Sequence, residues 1–299
     1  MSKQLLYIFG EVLFDHFPDG RRILGGAPFN VAWHLQAFGQ SPRLISRVGA
    51  DAEGAEIRAA MRSWGMDDSG LQTDRERPTG KVIVRFENAE PVYDIVDNCA
   101  YDAIDYQGFE ESMAAAAGGF LYHGSLALRS ELSRSALRQL QSTGLDTVFV
   151  DVNLRAPWWQ LEQVQEMLRA ASWAKLNRDE LDLLGRDGSG VLLEPSAFMR
   201  EYDLRGLLLT LGASGAVLYS RDGAPVEVAP QGPVDLVDTV GAGDAFASVM
   251  ILGLVNQWPA QVTLRRAQDF ASKIVGQRGA TVSDPAFYRP FIEEWRLAS

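Results

Sequence analysis

The sequence predicts an α/β protein in which helices cover a parallel sheet. Short apolar runs alternate with segments of helical spacing, and the composition of 46% apolar and 22% charged residues is typical of globular proteins. Internal repeats and low-complexity tracts are absent from the sequence. A chain of 299 residues is long enough to bury a large core, as one large α/β domain or as two modest ones, and we expect the first, a single domain over residues 1–299.

The individual elements follow from these runs. Strands are predicted over residues 5–9, 43–48, 119–122, 147–152, 174–176, 206–211 and 216–220. Helical spacing predicts helices over residues 28–38, 53–64, 242–254 and 264–277. Gly65, directly after the second helix, is typical of a C-terminal cap. The sequence Gly-Ala-Ser-Gly at 212–215 predicts a turn between the last two strands.

Two stretches depart from the alternation. Pro18-Asp19-Gly20 is a hairpin signal between two short extended runs. Residues 81–86 and 91–96 are alternating runs separated by Glu-Asn-Ala-Glu. We expect segments 11–25 and 79–106 to form a small antiparallel sheet, a lid that projects from the main sheet. Because the edges of such a sheet would be exposed, a homodimer through the lid is a further hypothesis.

Charge and composition exclude several classes of function. With 28 Lys and Arg against 39 Asp and Glu, the net charge is −11, which disfavours nucleic acids and anionic membranes as partners. The single cysteine, Cys99, excludes an internal disulfide and a cysteine-based zinc site. The N-terminus lacks a signal-peptide pattern, and no run approaches the roughly 20 apolar residues of a membrane helix. We expect a cytoplasmic protein.

The strongest motif is D-T-V-G-A-G-D-A-F at 238–246, just before an apolar helical run. Glycines at a helix start let an anion approach the free N–H groups, where the helix dipole adds roughly half a positive charge. Gly241, Ala242 and Gly243 therefore predict a phosphate cradle. Asp244 beside it suits a base that deprotonates a hydroxyl attacking phosphorus. The same pattern also fits a glycine-rich turn in which Asp244 caps the helix.

A second cluster, G-G-A-P-F-N at 25–30, also opens a helix, with Pro28 near the first-turn position that suits proline. The amide of Asn30 offers a donor and an acceptor to a polyol. Alone, this cluster also fits an ordinary helix start. The P-loop, dinucleotide-binding, protein-kinase, zinc-protease and nucleophile-elbow motifs are all absent from the sequence.

Both clusters resemble the signatures of the PfkB family of carbohydrate kinases, and the resemblance extends from Gly10 to Ala280. It implies a ribokinase-like three-layer α/β/α sandwich with a small β-sheet lid over the sugar. In this family pattern Asp244 is the catalytic base, and the adjacent residues Gly241, Ala242 and Gly243 form the anion hole. The positions that bind sugar hydroxyls correspond to Asp15, Gly26 and Asn30.

Two further motifs resemble nucleotide-side elements of the family. Asn177 and Glu180 match an N-x-x-E motif tied to magnesium and phosphate, although they also fit an ordinary helix start. The T-x-G-x-x-G pattern places nucleotide contacts at Thr210, Gly212 and Gly215, although a simple hairpin turn has the same sequence. A monovalent cation, K⁺, is implied by the resemblance at Asp238, Val240 and Ser283.

Arg155 follows a predicted strand, at the sheet edge where open α/β folds place ligands. Its guanidinium is a candidate to reach sugar or phosphate, and a surface ion pair is the alternative. Asp15 likewise fits a solvent-facing turn. His123 and the pair Trp158 and Trp159 are expected to have structural roles.

The resemblance implies ATP-dependent phosphorylation of a sugar hydroxyl, with Mg²⁺ as the second cofactor. The whole-chain pattern is most similar to fructokinases, which implies conversion of D-fructose to fructose 6-phosphate. Another small sugar or sugar acid, such as ribose or 2-keto-3-deoxygluconate, or a nucleoside is the alternative acceptor. A sugar-binding protein without catalysis, built on the same fold, is the alternative from another class.

Overall fold

The computed structural model describes residues 4–87, 90–109, 118–186, 188–232 and 235–297. Its strands, numbered in chain order, are β1 (Leu6–Phe9), β2 (Leu13–His16), β3 (Arg22–Gly25), β4 (Arg43–Gly49), β5 (Leu71–Asp74), β6 (Gly80–Glu87), β7 (Glu90–Ile95), β8 (Phe120–His123), β9 (Thr147–Asp151), β10 (Trp173–Asn177), β11 (Gly206–Thr210), β12 (Ala216–Ser220) and β13 (Val226–Val228). Its helices are α1 (Ala27–Ala37), α2 (Ala52–Ser63), α3 (Glu131–Gln141), α4 (Leu161–Arg169), α5 (Arg178–Leu184), α6 (Pro195–Glu201), α7 (Ala242–Val255), α8 (Ala260–Ile274) and α9 (Pro285–Trp295).

The main sheet of the described chain has nine strands in the order β13-β12-β11-β10-β9-β8-β1-β4-β5. Pairing is parallel from β11 to β5, but β11–β12 and β12–β13 are antiparallel. The predicted parallel sheet is thus present from β11 to β5, and the antiparallel pair β11–β12 is the pair that the predicted turn at 212–215 joins. The short turn around Gly212–Ser214 joins neighbouring strands, and such a tight connection reverses the chain direction.

Helices cover both faces of this sheet. Alternate side chains of β1 show the arrangement, because Leu6 and Ile8 pack into one apolar cluster while Tyr7 and Phe9 pack into the other. The first cluster includes residues of α1, α7 and α8, and the second includes residues of α3, α4 and α6. The result is a three-layer α/β/α sandwich, as the sequence predicts.

Several element boundaries differ from the predictions. The helix expected from residue 264 begins at Ala260. The prediction missed its first turn because that turn is largely exposed and lacks the apolar spacing of the rest of the helix. Strand β5 has the sequence L-Q-T-D, which carries no alternating apolar pattern, and it was not predicted. Strand β13 and helix α9 were not predicted either. Strands β5 and β13 are the two edge strands of the main sheet, where the apolar signal is weakest.

A second sheet has the order β3-β2-β6-β7 in the described residues. The two predicted hairpins, β2–β3 and β6–β7, are present and antiparallel, but β2 pairs with β6 in parallel. The expectation of an antiparallel sheet is thus wrong at the central pair, because no turn joins these two strands and fixes their direction. The turn at 88–89 lies outside the described residues. Assignment of 11–25 and 79–106 as lid segments of one domain stays a prediction.

Two simpler expectations can also be compared with the structure. Cys99 is buried at the end of the second sheet, and burial raises the pKa of its thiol, which disfavours the reactive thiolate.

In the described part of the chain, every helix is too short or too polar to cross a bilayer.

Candidate active site

A cavity of about 420 Å³ lies between the carboxyl edge of the main sheet, the start of α7 and the second sheet. Glu11, Leu126 and Asn153, which follow β1, β8 and β9, form part of its wall. Tyr93 from β7 lines it from the second sheet. This is the position where open parallel sheets bind ligands.

The start of α7 contributes open backbone donors to the cavity. Gly241 is the N-terminal cap, its φ is +82°, and no side chain caps the helix. A Cβ atom at this position would lie 2.5 Å from the Cα of Ala280, so both the backbone conformation and the space require glycine. Gly241 and Gly243 line the cavity, and the N–H groups of an uncapped first turn are suited to bind an anion.

Asp244 lies on the wall beside these donors. Its Oδ2 accepts a hydrogen bond of 2.8 Å from Nδ2 of Asn30, on helix α1. Burial raises the pKa of Asp244 to about 6, although the bond from Asn30 acts in the opposite direction. A carboxyl group with this pKa is ionised at neutral pH and is a stronger base than an exposed aspartate.

The start of α1 forms the neighbouring part of the wall, since Asn30 bonds directly to Asp244. Gly26 has a φ of +108°, and a Cβ there would lie 2.7 Å from the carbonyl oxygen of Glu11. A Cβ at Gly25 would lie 3.9 Å from both Oδ2 of Asp15 and Oδ1 of Asn30, so these two polar groups flank the glycine. Burial raises the pKa of Asp15 to about 6, with the charge of Arg155 opposing the shift. Polar acceptors and donors thus converge on the cavity.

The structure therefore brings most of the sequence-predicted catalytic and sugar-side residues to one cavity. Those that line it are Asp15, Gly26, Asn30, Arg155, Gly241, Gly243 and Asp244. Arg155 is exposed, and its charge acts to lower the pKa of two carboxyl groups of the same cavity, Glu11 and Asp15. Ala242 is the first residue of α7, between the two lining glycines.

The predicted nucleotide-side residues lie outside this wall. Asn177 Oδ1 accepts a bond of 2.8 Å from Glu180 N, and Glu180 Oε2 accepts one of 2.8 Å from Asn177 N. The second oxygen of Glu180, Oε1, accepts a bond of 2.8 Å from the backbone N–H of Leu154. This capping box is the ordinary helix start that the sequence also allowed.

Thr210 lies beside Asn177 in the register of β10 and β11, at the same edge of the sheet. Its hydroxyl donates to the carbonyl oxygen of Leu176 at 3.3 Å. Gly215 has a φ of +98° and is buried in the hairpin, whereas Gly212 is exposed. These contacts match the hairpin alternative.

The three candidate residues for a monovalent cation differ in their surroundings. Asp238 accepts backbone hydrogen bonds from Val240 N at 3.0 Å and from Gly279 N at 3.1 Å, so its carboxylate fastens the loop before α7. Val240 lines the cavity, and Ser283 is exposed. Within the described residues, no group of three His, Cys, Asp or Glu side chains could hold a metal ion.

The residues expected to be structural behave as such. His123 is buried, its Nδ1 lies 3.0 Å from the carbonyl oxygen of Gly124, and burial lowers its pKa to about 4. Trp158 packs over the guanidinium of Arg129 at 4.3 Å, and both Trp158 and Trp159 lie against the apolar core. These contacts agree with packing roles.

The sequence prediction missed three charged residues at or beside the cavity: Glu11, Lys175 and Asp151. Glu11 is 4% exposed, and burial raises its pKa to about 7. Lys175 lines the cavity, and its Nζ donates to both carboxylate oxygens of Asp151 at 2.8 Å. A signal was present, because W-A-K-L-N places a lysine inside an otherwise apolar strand.

Comparison with known proteins gives a consistent result. The model of the pfkB family of carbohydrate kinases matches residues 8–286. A fructokinase of Klebsiella pneumoniae is 31% identical over 264 residues, which cover 83% of this chain and 84% of that protein. A fructokinase of Salmonella typhimurium is 28% identical over 300 residues, covering 94% of this chain and 96% of the relative.

Solved structures agree with the family match. An uncharacterized sugar kinase from Pyrococcus horikoshii, solved in complex with ATP, has a TM-score of 0.76 at 26% identity, covering 92% of this chain and 94% of that one. The chain belongs to the pfkB family of carbohydrate kinases, and its fold is the ribokinase-like α/β fold. It is a sugar kinase, a phosphotransferase that acts on an alcohol group.

Proposed function

We propose that the protein transfers the γ-phosphoryl group of ATP to D-fructose and forms fructose 6-phosphate. The observation that carries this proposal is the 2.8 Å hydrogen bond between Asn30 and Asp244, because it joins the sugar side and the phosphate side of one cavity. Fructokinases among the relatives support fructose as the acceptor, and the ATP complex of the Pyrococcus horikoshii kinase supports ATP as the donor.

In this proposal Asp15, Gly26 and Asn30 bind the sugar hydroxyls, with Arg155 at the open side. Asp244 accepts the proton of the attacking hydroxyl, and its raised pKa makes it a stronger base. Asn30 donates to Oδ2 of Asp244 and so orients the carboxylate toward the acceptor. The N–H groups at Gly241, Ala242 and Gly243 stabilise the charge on the phosphoryl oxygens.

The nucleotide would extend from these glycines along the sheet edge toward Asn177 and Thr210, with adenine between the 210–215 turn and the end of α8. Gly212 and Gly215 shape that turn, and Glu180 holds its neighbouring loop through the N–H of Leu154. These positions are supported by the shared sheet edge of Asn177 and Thr210.

Glu180, the carboxylate that the N-x-x-E resemblance ties to magnesium, is already engaged by backbone N–H groups. Both oxygens of Glu180 already accept backbone hydrogen bonds, so direct ligation would break the helix cap. Mg²⁺ commonly binds phosphate oxygens and keeps several waters. We therefore propose that it enters with the phosphates of ATP. K⁺ at Asp238, Val240 and Ser283 stays a proposal, supported by the position of Val240 in the cavity wall.

A homodimer through the second sheet also stays a proposal. Its support is the exposure of Phe86 (56%) and Tyr93 (49%) on paired strands, with β7 as an edge strand. Sedimentation of the full chain at rising concentration tests it: we expect a species of twice the 32.9 kDa chain mass. A monomer at all concentrations would refute the dimer.

A coupled assay of ADP release tests the proposed reaction, with D-fructose, ribose, 2-keto-3-deoxygluconate and a nucleoside as acceptors. We expect D-fructose to give the highest kcat/KM. Asp244→Asn should lower kcat by about 10²–10⁴-fold while sugar binding persists, because the amide cannot accept the proton. Asp284→Asn, at the exposed start of α9, is the matched control and should keep full turnover.

Two outcomes distinguish the alternatives. A higher kcat/KM with another acceptor would replace fructose but keep the kinase reaction. No sugar-stimulated ADP release with any acceptor, together with measurable sugar binding, would favour a non-catalytic sugar-binding protein.

A further inference from the structure

One buried charge at the cavity has no role in the reaction as described above. Lys175, on β10, is 8% exposed and is among the residues that line the cavity. A Cβ atom at Gly243 would lie 3.3 Å from its Nζ and 3.9 Å from its Cε. The ammonium end of the side chain, rather than its aliphatic stem, therefore faces the first turn of α7.

The ammonium group is held in a fixed position. Lys175 and Asp151 are register partners on neighbouring parallel strands, and Nζ lies 2.8 Å from both carboxylate oxygens. The hydroxyl of Tyr122 donates to Oδ2 of Asp151 at 3.2 Å. Burial alone would lower the pKa of Lys175, but the charge and hydrogen bonds of Asp151, together with the charges of Asp244 and Glu180, outweigh it and raise the pKa above its ordinary value. The lysine is therefore charged at neutral pH.

One donor of this ammonium group remains. An ammonium has three N–H bonds, and the hydrogen bonds of Nζ within the described residues go to the two oxygens of Asp151. Stability alone is a poor reason for such a pair, since a buried ion pair contributes little compared with apolar side chains of similar size. Phosphate binding explains this pair better than stability does, because the fixed cation of Lys175 faces a helix start that is suited to bind anions.

The charges around the cavity give the same conclusion. Glu11, Asp15 and Asp244 are carboxyl groups on its wall, in a protein with a net charge of −11. A polyphosphate that enters this space meets repulsion which the backbone amides of α7 only partly offset. Arg155 is exposed to water, whereas Lys175 is buried, and buried charges act more strongly because the surrounding dielectric is lower.

We propose that Lys175 is a further catalytic residue, which contacts the oxygens of the phosphoryl group in transfer from beside Gly243, and that Asp151 is its positioning residue. This rests on the proposed phosphoryl transfer. The bond from the sugar oxygen to phosphorus forms while the bond from phosphorus to the leaving oxygen of ADP breaks, and Asp244 takes the hydroxyl proton. Lys175 stays protonated throughout and stabilises the charge on the transferring oxygens.

The test uses two neutral variants, Lys175→Met and the double variant Lys175→Met/Asp151→Asn. The double variant removes both charges, so it avoids an unpaired buried carboxylate and protects the test against misfolding of the single one. We expect kcat to fall by about 100-fold in both, because one charged donor to the transition state is lost. Affinity for ATP, measured by titration calorimetry, should fall about tenfold more than affinity for ADP, while the KM for sugar changes less than about threefold.

Lys175→Arg tests whether the charge itself matters. It keeps a cation at the site in a different shape, so we expect it to recover at least about tenfold of the lost kcat relative to Lys175→Met. The matched control is Arg129→Met/Asp102→Asn, which removes another buried ion pair with side-chain exposures of 7% and 9%. Neither residue of that pair lines the cavity, so this control should lose thermal stability but keep kcat and the ATP-to-ADP affinity ratio.

A kcat within about threefold of the unmodified protein in a folded neutral variant would overturn the role of Lys175, as would equal losses of ATP and ADP affinity. Failure of the proposed function looks different. In that case the unmodified protein releases no ADP with any sugar, while the ATP-to-ADP affinity ratio still reports on Lys175, since nucleotide binding is measured without an acceptor.

Discussion

Helices α5 and α7 begin in similar ways in the sequence but differently in the structure. Each has an acidic residue at the third helical position, Glu180 in α5 and Asp244 in α7. Glu180 turns back to the backbone of Asn177 and closes a capping box. Asp244 instead bonds to Asn30 on another helix, and its own helix has no side-chain cap.

The difference shows what separates a structural helix start from a binding site. In α5 the cap residue is Asn177, whose side chain satisfies the N–H of Glu180. In α7 the cap residue is Gly241, which has no side chain to offer. The N–H of Ala242 makes a long bond of 3.4 Å to the carbonyl oxygen of Thr239, and no side chain of the described residues caps this helix start. A helix start that is capped by its own side chains has few N–H groups left to bind a ligand. An uncapped helix start beside a cavity keeps N–H groups that can bind one.

Apart from loss of the base itself, the largest expected effect comes from closing the uncapped start of α7. Gly243→Ala adds a methyl group 3.3 Å from Nζ of Lys175, in the space where the phosphoryl oxygens would approach. We expect kcat to fall by about 10²–10³-fold, as for loss of an oxyanion donor, measured by coupled ADP release. Gly243 is inside α7 and is not at a positive φ, so the melting temperature should hardly change.

The matched control for this change is Gly188→Ala, where an added Cβ would meet nothing within 4 Å. It should leave kcat unaltered. Full turnover of Gly243→Ala would mean that the α7 start is as closed to ligands as the α5 start.

A smaller effect is expected from pH. The pKa of Asp244 is raised to about 6, so its basic form is lost as pH falls through 6, and kcat/KM should then fall about tenfold per pH unit. Rates from pH 5 to pH 8 measure this. Asp15, with a pKa also raised to about 6, loses its charge in the same window and should add a rise in the KM for sugar. A flat profile across this range would contradict the role of Asp244 as base.

Stability should respond to pH in the opposite sense. Because the folded-state pKa of Asp244 lies above its ordinary value of 3.8, the proton on Asp244 favours folding below pH 4, and this gain is lost as pH rises through 6. Asp244→Asn removes the cost of the buried charge. We expect it to raise the free energy of unfolding at pH 8 by up to about 2 kcal/mol and to have little effect at pH 4, as measured by urea denaturation.

The smallest effect on kcat is expected at the start of α5, which is capped by its own side chains. Asn177→Ala removes the cap of α5 and should lower the free energy of unfolding by about 1 kcal/mol. The KM for ATP should rise by less than about tenfold, and kcat should stay within about threefold, because the side chain acts through the helix start. A loss of kcat above 100-fold would place Asn177 among the reacting groups and erase the contrast with α7.

Sequence patterns predicted the elements that carry a strong local signal. The hairpin of β11 and β12 was found from its turn residues, and both glycine-rich helix starts were located within one residue of their observed positions. The unusual backbone of Gly241, with a φ of +82°, explains why the pattern is so distinct there. The parallel β2–β6 pair was not found, because no turn between these strands records their relative direction.

The charged residues show the same limit. Lys175 and Asp151 lie in separate apolar strands, Lys175 in the middle of β10 and Asp151 at the end of β9, and neither position alone indicates a partner. Their meaning appears only once β9 and β10 pair in a register that places them side by side. The carboxylate of Glu11 likewise became a cavity residue only when α1 and the main sheet enclosed it.

By itself the sequence determined where the strongly patterned strands and the two glycine-rich helix starts lie, because those preferences depend on residues within one or two turns. Only the tertiary structure decided that Asn30 and Asp244, 214 residues apart, share a hydrogen bond, and that a lysine from the sheet faces the start of α7. Strand order, register and helix packing depend on long-range burial of apolar surface, which no local pattern records.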